Sequence, residues 1–372
     1  MTKILFITTS PIDVSGVTRT SLDLARQFAA RGWRVRGIFP PARWDDALAE
    51  WIRAQGAGAE PHPAVRDIVA PHSVRDMLAL RRLIRAGRPD VVNIHYGQNY
   101  VSLKDLIAAR LAGPPRLVVT VHHPVSWSDM AGRKRVMTRL ATLFADAVTV
   151  NSRAMRDILL EAGVAPRKIH MLPPGVRVPT NLPDRSEARA RLGLPDDAFV
   201  VGCVARLAPH KGIGDLIEAA ARVPDPQGRL RVVVAGDGPE RDALERLGVA
   251  RLGGRAVFLG RVPDIQDVYA ASDAFALPSH MEGFGLAYIE AAFHGVPSIG
   301  ANAGGVPDAI RDGETGLLVP PSDPAALTAA IARLRDDPAL RARLGDAARK
   351  RACAEFTEER MAERYAAVFE SR

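Results

Sequence analysis

The stretch "DAFALPSHMEGFGLAYIEAAFHGVPSIGA", residues 273–301, reads as strand, turn, helix and strand in immediate succession. The strand "DAFALPS" ends near Ser279, and the helix starts near Phe284 or Gly285. It continues through Tyr288 and Phe293 and stops at Gly295, with Pro297 just beyond, the expected helix terminator. Two glycines, Gly283 and Gly285, open the helix, and two acids, Glu282 and Glu290, lie eight positions apart. The first-turn amides near Gly285 and Leu286 have no intrahelical acceptors and carry the positive end of the helix dipole, which suits an anion. Glycine there allows a ligand close to the backbone. Glu282 falls outside the helix, and Glu290 sits in its second turn, about 7 Å further along the axis at 1.5 Å per residue. A plain helix with a start charge and a surface acid accounts for the same residues, so both readings stand at this point.

The alternation extends in both directions. "KILFITT", "WRVRGIF", "DVVNIHY", "RLVVTVH" and "DAVTVNS" read as strands in the first half, separated by helical segments such as "TRTSLDLARQFAARG", closed by Gly32. "AFVVGCVA", "LRVVVAGD", "AVFLG", "DAFALPS" and "PSIGA" repeat the scheme after the Pro-rich "LPPGVRVPTNLPDR". Such alternation predicts an α/β protein with parallel sheets covered by helices on both faces. We expect a Rossmann-like domain over residues 1–175, a linker over 176–198 and a second Rossmann-like domain over 199–355. A last helix over 356–372 crosses back to the first domain. A length of 372 residues, 47% hydrophobic and 25% charged, fits two ordinary globular domains. Cys203 and Cys353, the only cysteines, are 150 positions apart, which argues against a disulfide framework and for a reducing cytosol. "MTKILFITTS" reads as a buried strand rather than a signal peptide, and no run approaches ~20 apolar residues.

In open parallel sheets ligands bind at the carboxyl ends of strands. "ARLAPHKG", residues 205–212, places Arg206 and Lys211 there; a planar fork and a mobile ammonium both suit a diphosphate, and two solvated surface cations are the simpler reading. "VVVAGDGPE", residues 232–240, lacks the G-x-G-x-x-G spacing of a dinucleotide fold. "SPIDVSGVTRT", residues 10–20, offers Gly16 to a phosphate or to a simple tight turn. His95 in "NIHYG", and His122 and His123 in "VTVHHP", end strands of the first half and are candidates for ligand contact. No Asp-x-Asp pair, zinc spacing or G-x-x-x-x-G-K-[ST] occurs, so no metal site is expected and a P-loop ATPase is excluded. Residues 1–178 carry 26 Lys+Arg against 14 Asp+Glu, a net +12, whereas residues 179–372 carry 24 against 28, a net −4. Aromatic content of 5% and the lack of a recognisable module argue against nucleic acid as the partner of the basic half.

Taken in order, these pieces resemble the retaining glycosyltransferases of family 4, with their two-domain GT-B fold facing across a cleft. "EGFGLAYIE" matches the family's E-x7-E motif and "ARLAPHKG" its R-x4-K diphosphate site. "AGDGPERDAL", "FLGRV", "AAFHGVPSIGANAGGVPDAI" and "DGETGLLVPPSD" follow in the family's order. The chain departs from the family at Ser15-Gly16, where Gly-Gly is usual, at "PPGVR" in the linker, and at Asp308, where Glu is common.

The resemblance implies a nucleoside-diphosphate sugar, UDP- or GDP-linked, as donor substrate, with no metal or other cofactor. It implies that Arg206 and Lys211 stabilise the departing diphosphate, that Glu282 holds donor-sugar hydroxyls, and that His122 contacts the donor sugar. Glu290 would bind the ribose, the backbone of Gly283, Phe284, Gly285 and Leu286 the sugar and distal phosphate, Gly16 the phosphate, and Arg261 and Val262 the base. His95 and His123 remain candidates for a hydroxyl acceptor. The basic first half suits an anionic or lipid-linked acceptor at the inner face of a membrane. The alternative readings are a GT-B nucleotide-sugar epimerase or phosphorylase, or a non-catalytic sugar-nucleotide-binding subunit, the last opposed by the intact Glu282, Arg206 and Lys211.

Overall fold

The computed structural model describes residues 1–9, 16–40, 59–61, 73–98, 100–123, 132–262 and 264–371. They form two compact units, Met1–Gly175 with Glu358–Arg372, and Val176–Thr357.

The first unit is built on strands β1 (Lys3–Thr8), β2 (Arg34–Phe39), β3 (Ala59–Pro61), β4 (Val91–Gln98), β5 (Arg116–His123), β6 (Ala147–Val150) and β7 (Ile169–Met171). They pair in the order β3-β2-β1-β4-β5-β6-β7, and every pair is parallel. Side chains alternate between faces along each strand. Leu5, Ile7, Val92, Ile94, Val119 and Val148 pack under helices Val74–Gly87, Leu103–Ala112 and Arg153–Glu161. Ile4, Phe6, Val91, Val118 and Ala147 pack under helices Gly16–Ala30 and Glu358–Glu370.

The second of these faces changes character along the strand direction. Phe6, Asn93 and Val118 share one register row, and Thr8, His95, Thr120 and Thr149 share the next. Asn93, Thr120 and Thr149 satisfy one another, and Thr8 turns its hydroxyl to Ser21. Asn93 Nδ2 donates to Thr120 Oγ1 at 2.9 Å, and the hydroxyls of Thr120 and Thr149 are 2.7 Å apart. Tyr365, on the closing helix, joins them through its hydroxyl. That helix is fastened further by Phe369 against Phe28, with ring centroids 5.3 Å apart, and by an Arg26–Glu358 ion pair. Burial and the neighbouring Glu358 push the Asp23 carboxyl up to about 7.

The second unit holds β8 (Phe199–Val204), β9 (Leu230–Ala235), β10 (Ala256–Gly260), β11 (Ala274–Leu277), β12 (Ser298–Ala301) and β13 (Gly316–Val319). Their order is β10-β9-β8-β11-β12-β13, again all parallel. The chain runs outward from β8 to β10 and then returns to the other side of β8 to lay down β11. The connections after β8 and β11 therefore diverge at one switch point, where doubly wound sheets bind ligands. In the first unit β1 and β4 stand in the same relation.

Both parallel sheets agree with the alternation read from the sequence. The strands not anticipated are β3, β7 and β13, each three or four residues long at a sheet edge, too short for a periodic signal. Residues 176–198, expected as a linker, include helix Arg185–Arg191. Its Arg189 is buried, with Nη2 2.8 Å from Asp273 Oδ2, and Ala188 and Leu194 enter the core beside Val200 and Val233.

Candidate functional site

The loop after β8 carries Arg206 and Lys211, and its backbone is clamped by the turn after β9. Leu207 N donates to Asp237 O at 3.0 Å, and Glu240 N to Leu207 O at 3.1 Å. Gly236 has φ 137°, and a Cβ there would meet the Ala205 carbonyl oxygen; one on Gly238 would meet Leu207. The glycines of "AGDG" thus serve a close backbone approach that fixes the loop holding Arg206. Arg206 itself is exposed. Lys211 ends a 3-10 turn, Pro209–Lys211, and Gly212 follows at φ 66° with the Pro278 carbonyl where its Cβ would lie. His280 N donates to His210 O at 2.8 Å, and His280 Nε2 is 2.7 Å from Asp215 Oδ2, so the loops after β8 and β11 are laced together.

That lacing brings Lys211 onto Glu282. Lys211 Nζ is 2.5 Å from Glu282 Oε2, which also accepts from Ser279 Oγ at 3.3 Å. The other oxygen, Oε1, accepts from Gly283 N at 3.3 Å. Glu282 is held by its main chain as well. Gly305 N donates to Glu282 O at 2.8 Å, and Gly304, at φ 55°, packs where any side chain would strike that carbonyl. Gly285, at φ 90°, opens helix Leu286–Phe293, and among the described residues no side chain caps that end. A Cβ on Gly285 would collide with the Tyr288 ring, whose hydroxyl donates to the Leu277 carbonyl. The Phe284 side chain turns into the core against Phe356, with centroids 5.4 Å apart, so Phe284 can serve a ligand only through its backbone.

Glu290 is not the surface acid of the plain-helix reading. It is 7% exposed, and Tyr269 donates its hydroxyl to Oε2 at 2.6 Å. His294 lies beside Tyr269, with ring centroids 5.6 Å apart, and burial pushes its imidazole down to about 4. Arg261 is exposed just after β10, whereas Val262 packs on the core around Val200 and Val233.

In the first unit Gly16 begins helix Gly16–Ala30; Ser15 and the rest of residues 10–15 lie outside the described residues. His122 and His123 close β5, and His123 is half-buried. His95 departs from expectation. It is 0% exposed, because β4 runs on to Gln98 and the ring lies on the sheet face between the rings of Phe6 and His122. Its partner is His122, with His95 Nδ1 2.9 Å from His122 Nε2, so we withdraw the acceptor assignment for His95. Among the described residues no three His, Cys, Asp or Glu side chains gather as metal ligands.

Three contributors escaped the sequence reading: Ser279, Tyr269 and the Gly304-Gly305 pair. Adjacent glycines just after a buried strand were a legible sign of close backbone approach. Nothing in the sequence marked Tyr269 apart from other core aromatics.

Residues 184–351 match the family model described as glycosyl transferases group 1, and residues 14–178 match glycosyltransferase family 4. The chain is 34% identical over 291 residues to a GDP-mannose-dependent alpha-(1-6)-phosphatidylinositol monomannoside mannosyltransferase of Mycolicibacterium smegmatis, covering 73% of each. It is 35% identical over 357 residues to the D-inositol 3-phosphate glycosyltransferase of Corynebacterium glutamicum, covering 89% of this chain and 84% of that one. The crystal structure of Anabaena Alr3699/HepE in complex with UDP superposes with a TM-score of 0.85 at 25% identity, covering 100% of both chains.

Proposed function

The chain belongs to the family 4 glycosyltransferases, and from that premise we propose that it moves a sugar from a UDP- or GDP-linked donor to a hydroxyl acceptor with retention at the anomeric carbon. The observation that carries this reading is the cluster of Lys211, Glu282 and the Gly283 amide at the switch point between β8 and β11.

Breaking the bond between the anomeric carbon and the diphosphate oxygen puts negative charge on the leaving group. Arg206, Lys211 and the uncapped amides at Gly285 and Leu286 are fixed donors for that charge, and fixed dipoles need no rearrangement as it develops. Glu290, oriented by Tyr269, holds the ribose hydroxyls, and Glu282 the sugar hydroxyls. Gly16 and the backbone of Gly283 and Phe284 meet the phosphates, Arg261 and Val262 border the base, and His122 contacts the sugar. The departing phosphate oxygen takes the acceptor's proton on the same face, which gives retention without a carboxylate nucleophile and without a metal. Incubation with donor and acceptor should give a product of unchanged anomeric configuration. An epimerised donor formed without acceptor would instead favour the epimerase reading.

The acceptor is anionic and lipid-borne in this reading, and the protein works in the cytoplasm at the inner membrane face. Both named relatives act on inositol-containing acceptors by their descriptions. Helices Val74–Gly87, Leu103–Ala112 and Gly132–Thr142 pack in sequence on one side of the first unit. They expose Val74, Leu78, Leu111, Val136 and Leu140 among Arg75, Arg82, Arg85, Arg133, Lys134 and Arg139. Apolar side chains ringed by cations suit an anionic bilayer surface. The protein should float with vesicles containing phosphatidylglycerol and stay behind with pure phosphatidylcholine; equal partition between the two would refute membrane docking.

A further inference from the structure

We infer that His95 is a positioning residue that fixes the ring plane and the tautomer of His122, an inference that rests on the assignment of His122 to the donor sugar. The two rings look stacked by angle, 22° between planes, but their centroids are 5.2 Å apart with His95 Nδ1 only 2.9 Å from His122 Nε2. A centroid separation that matches the N···N distance plus two ring radii describes near-coplanar rings meeting edge to edge. This is an in-plane hydrogen bond, in which one ring must donate and the other accept.

The bond leaves His122 one ring nitrogen, Nδ1, for anything else. His122 is 7% exposed, at the carboxyl end of β5, where a ligand would approach. His95 is held by packing on one side and through its main chain. Its ring lies against Phe6, with centroids 5.8 Å apart, and its carbonyl accepts from both the amide and the hydroxyl of Thr9 at 3.0 Å. The His122 main chain is held from β6's side by Asn151, whose Nδ2 donates to the His122 carbonyl at 2.6 Å. Burial lowers both imidazoles, His122 to about 4, so each ring is neutral at pH 7 with one N–H, and one of the two N–H groups fills the bond between them.

The other nitrogen of His95 shows what this arrangement costs. Among the described residues, Nε2 is buried without a hydrogen-bond partner. A leucine would fill a similar volume and remove that orphan but would leave His122 Nε2 unpaired in turn, so the bond to His122, rather than packing alone, accounts for an imidazole here. A buried polar atom left unpaired needs a reason elsewhere, and the bond to His122 supplies one.

Three measurements test the inference on the intact protein. In wild type, nitrogen-15 spectra of the histidine side chains should show His122 as one neutral tautomer. In His95→Leu the His122 signals should become those of two exchanging tautomers. The thermal midpoint of His95→Leu should stay within a few degrees of wild type, because the Nε2 orphan of His95 is lost while His122 Nε2 is left unpaired in its place. Its kcat should fall about tenfold with donor KM changed less, since misplacing a sugar contact costs orientation. His95→Asn keeps a polar atom near the place of Nδ1 and should recover most of the loss. A fall in thermal midpoint for both variants with activity tracking the folded fraction would mean that His95 is only structural. A single His122 tautomer in His95→Leu would overturn the inference outright. The tautomer measurement needs no turnover, so it separates failure of this inference from failure of the glycosyltransferase reading.

Discussion

The double variant Arg206→Ala/Lys211→Ala should lose about 10³-fold or more in kcat/KM while remaining folded. Removing one fixed donor from a developing anion typically costs about 10²–10³ in rate, and two donors on one diphosphate do not simply add. Arg206 is exposed, so its removal should not disturb packing. Lys211 does pair with Glu282, whose carboxylate keeps Ser279 and the Gly283 amide when the ammonium is gone. Circular dichroism and a thermal midpoint within a few degrees of wild type should confirm the fold. Arg229→Ala is the matching control. Arg229 sits at the opposite, amino-terminal end of β9, paired with Asp197 at 3.1 Å, and its loss should leave turnover unchanged. Unaltered turnover in the double variant would refute the role given to both cations.

Glu282→Gln should separate binding from turnover, with opposite signs. The Glu282 carboxylate takes the Lys211 ammonium at 2.5 Å and the Gly283 amide at 3.3 Å, two donors that a diphosphate also needs. A donor arriving at the site must therefore compete with a side chain of the protein itself. Glutamine keeps the shape and a hydrogen bond to Ser279 but gives up the charge. Free nucleoside diphosphate should bind roughly fivefold to tenfold tighter, about 1–1.4 kcal/mol. Turnover should drop about 100-fold, because the carboxylate that aligns sugar hydroxyls is lost. Calorimetric titration with the diphosphate, together with kcat for the sugar nucleotide, checks both halves. Parallel weakening of binding and turnover would make Glu282 a structural anchor rather than a competitor.

The helix-opening glycines, the two cations and the two acids were legible because each lies in a short segment whose local pattern is complete. "EGFGLAYIE" contains its own turn, helix start and second-turn acid. The Lys211–Glu282 pair was not legible. It joins residues 71 positions apart and depends on β11 lying beside β8, a strand order that alternation alone does not specify. Glu290 is half-legible in the same sense. Its place in the helix follows from the spacing, whereas its burial under Tyr269 follows from tertiary packing. His95 was misjudged because "NIHYG" reads as the end of a strand, although the pairing continues through Gln98. The polar residues at alternate positions of "NIH", "TVH" and "TVN" held a further signal: one sheet face turning polar toward the carboxyl ends of β4, β5 and β6.

In the proposed reading a nucleoside diphosphate is held in the second unit by Arg206, Lys211 and the glycine-opened helix. Titration calorimetry of UDP and GDP against wild type and Arg206→Ala/Lys211→Ala tests it most directly. Wild type should bind one of the two with 1:1 stoichiometry and bind the corresponding nucleoside far more weakly, and the double variant should show at most weak residual binding. Equal affinity in both proteins, or no affinity of wild type for either diphosphate, would contradict the account.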